Sequence, residues 1–444
     1  MKNITVCFIA LLFAGHCIYA TEYTIQKVDN NIYESDNKKD INLSNTTNAG
    51  NVSEEKIKSS NFNSTTTDLV KKFSGSIDFY TGMTTQEHNV SPNRGKYAIN
   101  GSAALKALIA NEQNDQFKYG AKLVITTTTI SNGGTGPNGS HIYLDSEFGR
   151  IELGSPYSVS KTMAVTYGKT SASSCSGGWS SGGDNLVKLP GEFQKAYSVS
   201  YIEAKLAPAE GVEATRKISY YTPEFKGLKF GISYIPDTTN KGSDGLSQKA
   251  SCTKVKHDNK EYETILAAKN AVALAAKYTA NLSDNVKLEA GITAEFAEPV
   301  NNYKFKDTVT NNEKIEKLPE EARLNNLRFY NIGSVLTCAN FSYSFSYASL
   351  GNSLVSKADK EAKPTKYYGI GTGYTQGPIG VSANYFHGIN QYENNFDSIT
   401  LATNYKILPG LTPYLEISYF QAQAKGEKKK TGVASILGMQ LSFD

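Results

Sequence analysis

From residue 72 to the C-terminus, apolar and polar residues alternate in segments of about ten, the period-2 pattern that puts successive side chains on opposite faces of a strand. The stretch KISYYTPEFKGLKFGISYIPD, residues 217–237, shows the repeating unit. Ile218, Tyr220 and Thr222 share one face of its first run. Leu228, Phe230, Ile232 and Tyr234 share one face of the second, and a Pro-Glu-Phe-Lys-Gly turn separates the two. The pattern predicts sixteen strands, beginning near Phe73, Lys96, Phe117, His141, Arg150, Thr215, Leu228, Ala267, Val286, Leu327, Phe341, Lys366, Ile379, Ser398, Thr412 and Val433. An even number returns both ends of the chain to the same side of the sheet.

The connections alternate in length. EFGR, PEFKG, LSDN, CAN, TQGPIG and LPG read as tight turns, with NEQND somewhat looser. Between them lie polar loops at 83–95, 131–140, 158–212, 238–262, 298–323, 351–365, 389–397 and 424–431. A soluble sandwich has no reason to sort its loops this way, whereas a membrane β-barrel carries short turns at one end and long loops at the other. In lipid every backbone N–H and C=O must find its partner within the protein, so such a sheet has to close on itself. The expected fold is all-β: a transmembrane antiparallel β-barrel of sixteen strands. In the 217–237 hairpin, Ile218, Tyr220, Phe230, Ile232 and Tyr234 are then expected to face lipid or a neighbouring barrel. Lys217, Ser219, Tyr221, Lys229 and Ser233 are expected to face a wet lumen.

Composition supports strands over helical spans. A membrane helix needs about 20 consecutive apolar residues, and after the N-terminus the longest apolar run is AVALAA at 271–276. The first residues read as a signal peptide, 1–20: Lys2 provides the positive start, ITVCFIALLFAG the apolar core, and Ala20 a small residue before the cut. Residues 21–70 are rich in Asn, Ser, Thr, Lys and Asp, with too few aromatics to bury a core, and read as a polar disordered extension. The barrel domain is expected over 71–444. Loss of the signal would leave Cys175, Cys252 and Cys338. Cys175 and Cys252 lie in loop sequence, where they can bridge in an oxidising compartment or stand alone.

No CxxC or Cys/His spacing suggests a metal, and no nucleophile-elbow, HExxH, P-loop or dinucleotide pattern suggests catalysis or a cofactor. The net charge of +4 comes from scattered lysines rather than a basic stripe, so nucleic acid is not an expected partner. A pore needs only charges around a constriction. Alternation puts Lys106, Lys118 and Lys122 on the face opposite Leu105, Phe117, Tyr119 and Leu123, which makes these lysines pore-wall candidates. Asp78, Asp145, Glu147 and Glu152 are expected on the same face. The long 158–212 loop carries Asp184, Glu192, Glu203 and Glu210, but also Lys161, Lys169, Lys188, Lys195 and Lys205.

HIYLDSEFGRIELGSPYS, followed directly by that long loop, resembles the fourth and fifth strands of the general porins of the Gram-negative outer membrane. ISYYTPEFKGLKFGISY resembles the hairpin after their third loop, FDSITLATNYKI with LTPYLEISYF their late hairpin, and GVASILGMQLSF their terminal strand. The resemblance runs from about Phe73 to the C-terminus. It implies a sixteen-stranded barrel, commonly a homotrimer, whose third loop folds inward with acidic groups opposing basic groups on the wall. On that basis Asp184 and Glu192, beside the glycine-rich SGGWSSGGD, are the constriction-loop candidates, facing Lys106, Lys118 and Lys122. The implied function is a water-filled channel for passive diffusion of small hydrophilic solutes and ions, set in outer-membrane lipid. A substrate-selective porin, or a non-conducting surface barrel acting as adhesin or antigen, are the alternatives. Members of the family usually end on an aromatic residue, whereas here Asp444 follows Phe443.

Overall fold

The computed structural model describes residues 69–85, 97–111, 117–128, 136–137, 139–173, 198–206, 215–238, 252–257, 260–306 and 313–444. The expected signal peptide and the extension up to residue 68 lie outside them, whereas Val70, placed in the extension, opens the first strand. Sixteen strands form one closed antiparallel barrel: β1 (Val70–Thr84), β2 (Tyr97–Asn111), β3 (Phe117–Thr128), β4 (His141–Ser146), β5 (Gly149–Gly154), β6 (Lys217–Tyr221), β7 (Leu228–Asp237), β8 (Ala268–Ser283), β9 (Val286–Pro299), β10 (Leu327–Cys338), β11 (Phe341–Gly351), β12 (Thr365–Gln376), β13 (Ile379–Ile389), β14 (Asn395–Tyr405), β15 (Leu411–Gln423) and β16 (Lys430–Phe443). Each pairs with its sequence neighbours, and a two-residue bridge at Gly136–Pro137 also pairs with β3. β1 closes the ring against β16, with Gly75 opposite Phe443 and Thr84 opposite Ala434. Closure leaves no free edge, which is the condition for a sheet to sit in hydrocarbon. Asp444 lies beyond that ladder, and the strand it follows is intact.

Turn chemistry explains why the hairpins close where they do. Between β6 and β7, Lys226 and Gly227 both adopt positive φ, 49° and 81°, the left-handed pair that a two-residue hairpin requires. A Cβ on Gly227 would lie 2.1 Å from the Thr279 carbonyl oxygen of β8, so that position demands glycine on steric as well as dihedral grounds. Glu147, expected on the inner face, instead sits exposed in the β4–β5 turn, because EFGR ends the strand one residue earlier than simple alternation supposes.

Burial is inverted relative to a soluble protein. Ile218, Phe230, Ile232 and Tyr234 are among the exposed large apolar side chains, while Lys217, Ser219 and Ser233 between them are buried. The same inversion runs through Leu437, Met439, Leu441 and Phe443 of β16. An apolar outer band of this kind suits lipid. Most of the hairpin's inner face is dry, however, since the third loop lies on it: Lys217, Ser219, Tyr221 and Ser233 are buried, and Lys229 near the turn is half-buried. At the long-loop end a separate four-stranded sheet forms from Cys252–His257, Lys260–Ile265, Asn302–Lys306 and Glu313–Lys317. Cys338 is disulfide-bonded. The Cys175 and Cys252 side chains, whose pairing was left open, lie outside the described residues.

Candidate functional site

The described limbs of the third loop run inside the barrel along the wall from β7 to β14. A one-turn helix at Val159–Thr162 and a 3-10 turn at Tyr167–Thr170 set the path. The Val159 N–H donates to Ser233 Oγ on β7 at 3.0 Å. Further along, Tyr167 N–H donates to Ser346 Oγ on β11 at 3.2 Å, and the Thr170 hydroxyl to Asn384 Oδ1 on β13 at 3.1 Å. Ala172 N–H reaches Ser382 Oγ at 2.8 Å, and Asn404 Nδ2 of β14 donates back to the Ala172 carbonyl at 2.7 Å. Small inner residues let the loop lie this close. A Cβ on Gly333 would stand 1.9 Å from the Val165 carbonyl oxygen, and one on Gly369 2.5 Å from the Tyr167 ring. Inner-facing serines then supply the hydroxyls that satisfy loop N–H groups a lumen wall would otherwise strand.

Two buried carboxyl groups tie the loop's ends together. Glu295 of β9 is fully buried. Its Oε1 accepts from the hydroxyls of Ser160 and Ser200, each at 2.6 Å, and its Oε2 from the N–H groups of Tyr201 and Ile202, each at 2.9 Å. One side chain thus grips both the entering and the returning limb. Glu203, on the returning limb, ion-pairs with Lys217 of β6 at 3.1 Å and accepts from the Ser158 N–H at 2.9 Å. Lys217 also donates to the Pro156 and Thr215 carbonyls at 2.5 and 2.6 Å, so its ammonium is fully satisfied out of water.

On the other part of the wall, β2 to β5, charged side chains point inward. Lys106 stands opposite Ser74 and Val124, Lys118 opposite Asp145, and Lys122 opposite Leu108 and His141. Their neighbours Leu105, Phe117, Tyr119 and Leu123 are the exposed apolar residues of the outer band. Among the described residues none of the three lysines is ion-paired. Arg150 is held between Asp145 at 3.1 Å and Glu152 at 2.8 Å, with its guanidinium 4.0 Å over the Tyr143 ring. Lys122 has Lys106, Arg150 and Glu152 as electrostatic neighbours. Asp184 and Glu192 lie outside the described residues. Sequence reasoning missed Arg150, Glu295 and the pairing of Glu203 with Lys217. Alternation alone put Arg150 on the inner face with Glu152, which was a usable signal. Nothing local marks Glu295, because its partners are about a hundred residues away in sequence. Among the described residues no group of His, Cys, Asp or Glu could hold a metal.

Three comparisons bear on this arrangement. A family model described as Gram-negative porin matches residues 70–425. A protein of Rickettsia bellii, described only as uncharacterized, is 34% identical over 412 residues, covering 84% of this chain and 92% of its own length. A second, from Rickettsia conorii, is 33% identical over 417 residues with the same coverage. Among solved structures, the anion-selective porin from Comamonas acidovorans superposes with a TM-score of 0.53 at 11% identity, covering 85% of this chain and all of that one.

Proposed function

Because the chain belongs to the Gram-negative porin family, we propose that it is an outer-membrane channel through which small hydrophilic solutes and ions diffuse down their own gradients. The observation that carries this reading is the third loop, pinned at both limbs inside a closed barrel by bonds to strands from β6 to β14, while the inward Lys106, Lys118 and Lys122 stand on β2 and β3. Charges fixed around a narrowed passage are what a selective but motif-free pore needs. The proposed constriction sets Asp184 and Glu192 of the loop against Lys106, Lys118 and Lys122 of the wall. The resemblance to general porins favours a homotrimer. Reconstitution into planar bilayers tests the reading. A large, ohmic, weakly selective current is the expected result. A current blocked by one solute class would make the channel substrate-selective, and no current from inserted protein would turn the reading toward a surface barrel.

The division of the chain is part of the same proposal: a signal at 1–20, a polar extension behind it, and the barrel from the first strand at Val70 onward. Deleting residues 21–68 behind the signal should leave insertion and conductance unchanged, because a segment whose few apolar residues are scattered among Asn, Ser, Thr, Lys and Asp contributes little buried area. Loss of insertion on deletion would assign that segment a structural or docking role.

A further inference from the structure

On the outer face of the barrel, at its long-loop end, a cavity of about 670 Å³ opens between β10 and β11. Asn325, Arg328, Tyr330, Ser349, Asn352 and Lys357 line it. Arg328 and Tyr330 alternate with the buried, inward Phe329 and Asn331, so they belong to the apolar outer band rather than to the channel. Phe296 stands opposite Arg328 on β9, and its ring packs edge-on against Tyr330 at 5.8 Å. Tyr347 on β11 and Tyr368 on β12 are exposed on the same face near the rim. Rings of this kind mark the interfacial level of a membrane barrel, where one end of the side chain stays wet.

The roof of the cavity is built. A register shift between Ser349 and Gly351 breaks the regular ladder at the top of β11. The chain then folds back across the end of β10. Asn325 N–H donates to the Val355 carbonyl at 2.9 Å, Lys357 N–H to the Arg323 carbonyl at 2.8 Å, and Arg328 N–H to Ser353 Oγ at 2.8 Å. The Lys357 backbone is therefore held against the segment leading into β10, and its side chain lines the cavity together with Arg328. Lys366 of β12 joins them, exposed and directly opposite Ser349. Among the described residues none of these three cations has a carboxylate partner. Glu298, the outward carboxylate on the neighbouring strand, stands opposite Lys269 of β8 and makes no ion pair with the three cations among the described residues.

Three unneutralised cations around a preformed cavity, at the depth of the aromatic ring, call for an anion that arrives from the membrane side. The geometry points to a binding site for the phosphate headgroup of a membrane lipid, with the Arg328 fork and the Lys357 ammonium on the phosphate, Asn325 and Asn352 on its ester oxygens, and Tyr330 with Phe296 against the start of the hydrocarbon. A guanidinium suits a phosphate because it offers two parallel donors. The volume is within the range of small-ligand sites. The inference rests on the barrel lying in a membrane, as proposed above.

The test uses the full-length protein in phosphatidylcholine nanodiscs doped with phosphatidic acid, followed by native mass spectrometry of retained lipid. Phosphatidic acid should be retained over phosphatidylcholine, and retention should fall about fivefold in Arg328→Gln and about 25-fold in the Arg328→Gln/Lys357→Gln double variant, at the usual gain per interfacial cation. Arg328→Lys, which keeps the charge but loses the fork, should lie between wild type and Arg328→Gln. Equal retention by wild type and double variant overturns the site. So does displacement of the lipid by inorganic phosphate, which would make it a site for a soluble anion, or a change in oligomer mass without a change in lipid, which would make this face a contact between copies. Conductance of the same preparations separates the two proposals: a conducting wild type that retains no phosphatidic acid sinks the lipid site alone, and a silent one that retains it sinks the channel alone.

Discussion

Removing the Glu295 carboxyl should release the third loop from the wall while leaving the barrel closed. In Glu295→Ala, the Ser160 and Ser200 hydroxyls and the Tyr201 and Ile202 N–H groups all lose their acceptor in a fully buried place. Each orphaned buried donor costs about 1–3 kcal/mol, so the loop docking should weaken by several times the thermal energy even after partial relaxation or entry of water. None of the sixteen strands depends on those bonds, because the barrel is held by its own ladder. Single-channel recordings should therefore show larger and noisier openings, with the unheated and boiled gel mobilities still different. Glu295→Gln keeps the shape but replaces one acceptor oxygen with a donor, and should give a smaller effect of the same sign. Wild-type current noise and unchanged conductance in Glu295→Ala would mean that the remaining contacts, from Ser233 to Asn404, hold the loop without this pin.

Replacing Lys106, Lys118 and Lys122 together with glutamine should shift the reversal potential toward cation preference. All three face inward and none is ion-paired among the described residues, so their charge is not already cancelled by a neighbour. Two unit charges about 4 Å apart interact by about 1 kcal/mol in water and more beside a low-dielectric wall, so removing three should change the permeability ratio at least about fivefold. Conductance should change less, because the passage keeps its width. The reciprocal change, amides at Asp184 and Glu192, should move the reversal potential toward anions. Salt should blunt both shifts, as the Debye length falls from about 30 Å at 0.01 M to about 3 Å at 1 M. If neither replacement moves the reversal potential at low salt, the selectivity of the passage is set by other groups, with Arg150 and its Asp145 and Glu152 partners the next to change.

The barrel is legible strand by strand in the sequence, because period-2 alternation and turn chemistry are local properties. The predicted starts at Phe117, His141, Leu228, Val286, Leu327, Phe341 and Ile379 coincide with the observed ones, and the others fall within three residues. The inward side of Lys106, Lys118 and Lys122 follows from the same alternation. Alternation says only which face a side chain takes, however, not what lies against that face. Lys217, Ser219 and Ser233 do point inward, yet they are dry, because a loop whose anchors are contributed by strands up to Asn404 covers them. The grip of Glu295 on Ser160 and Ser200 spans separations of 135 and 95 residues, and no sequence period connects such partners. Their meeting depends on the barrel having closed and brought distant inner faces around one lumen. Long-range contacts of this kind arise only once the chain has folded, and here they include the docking of the described limbs of the third loop against the wall.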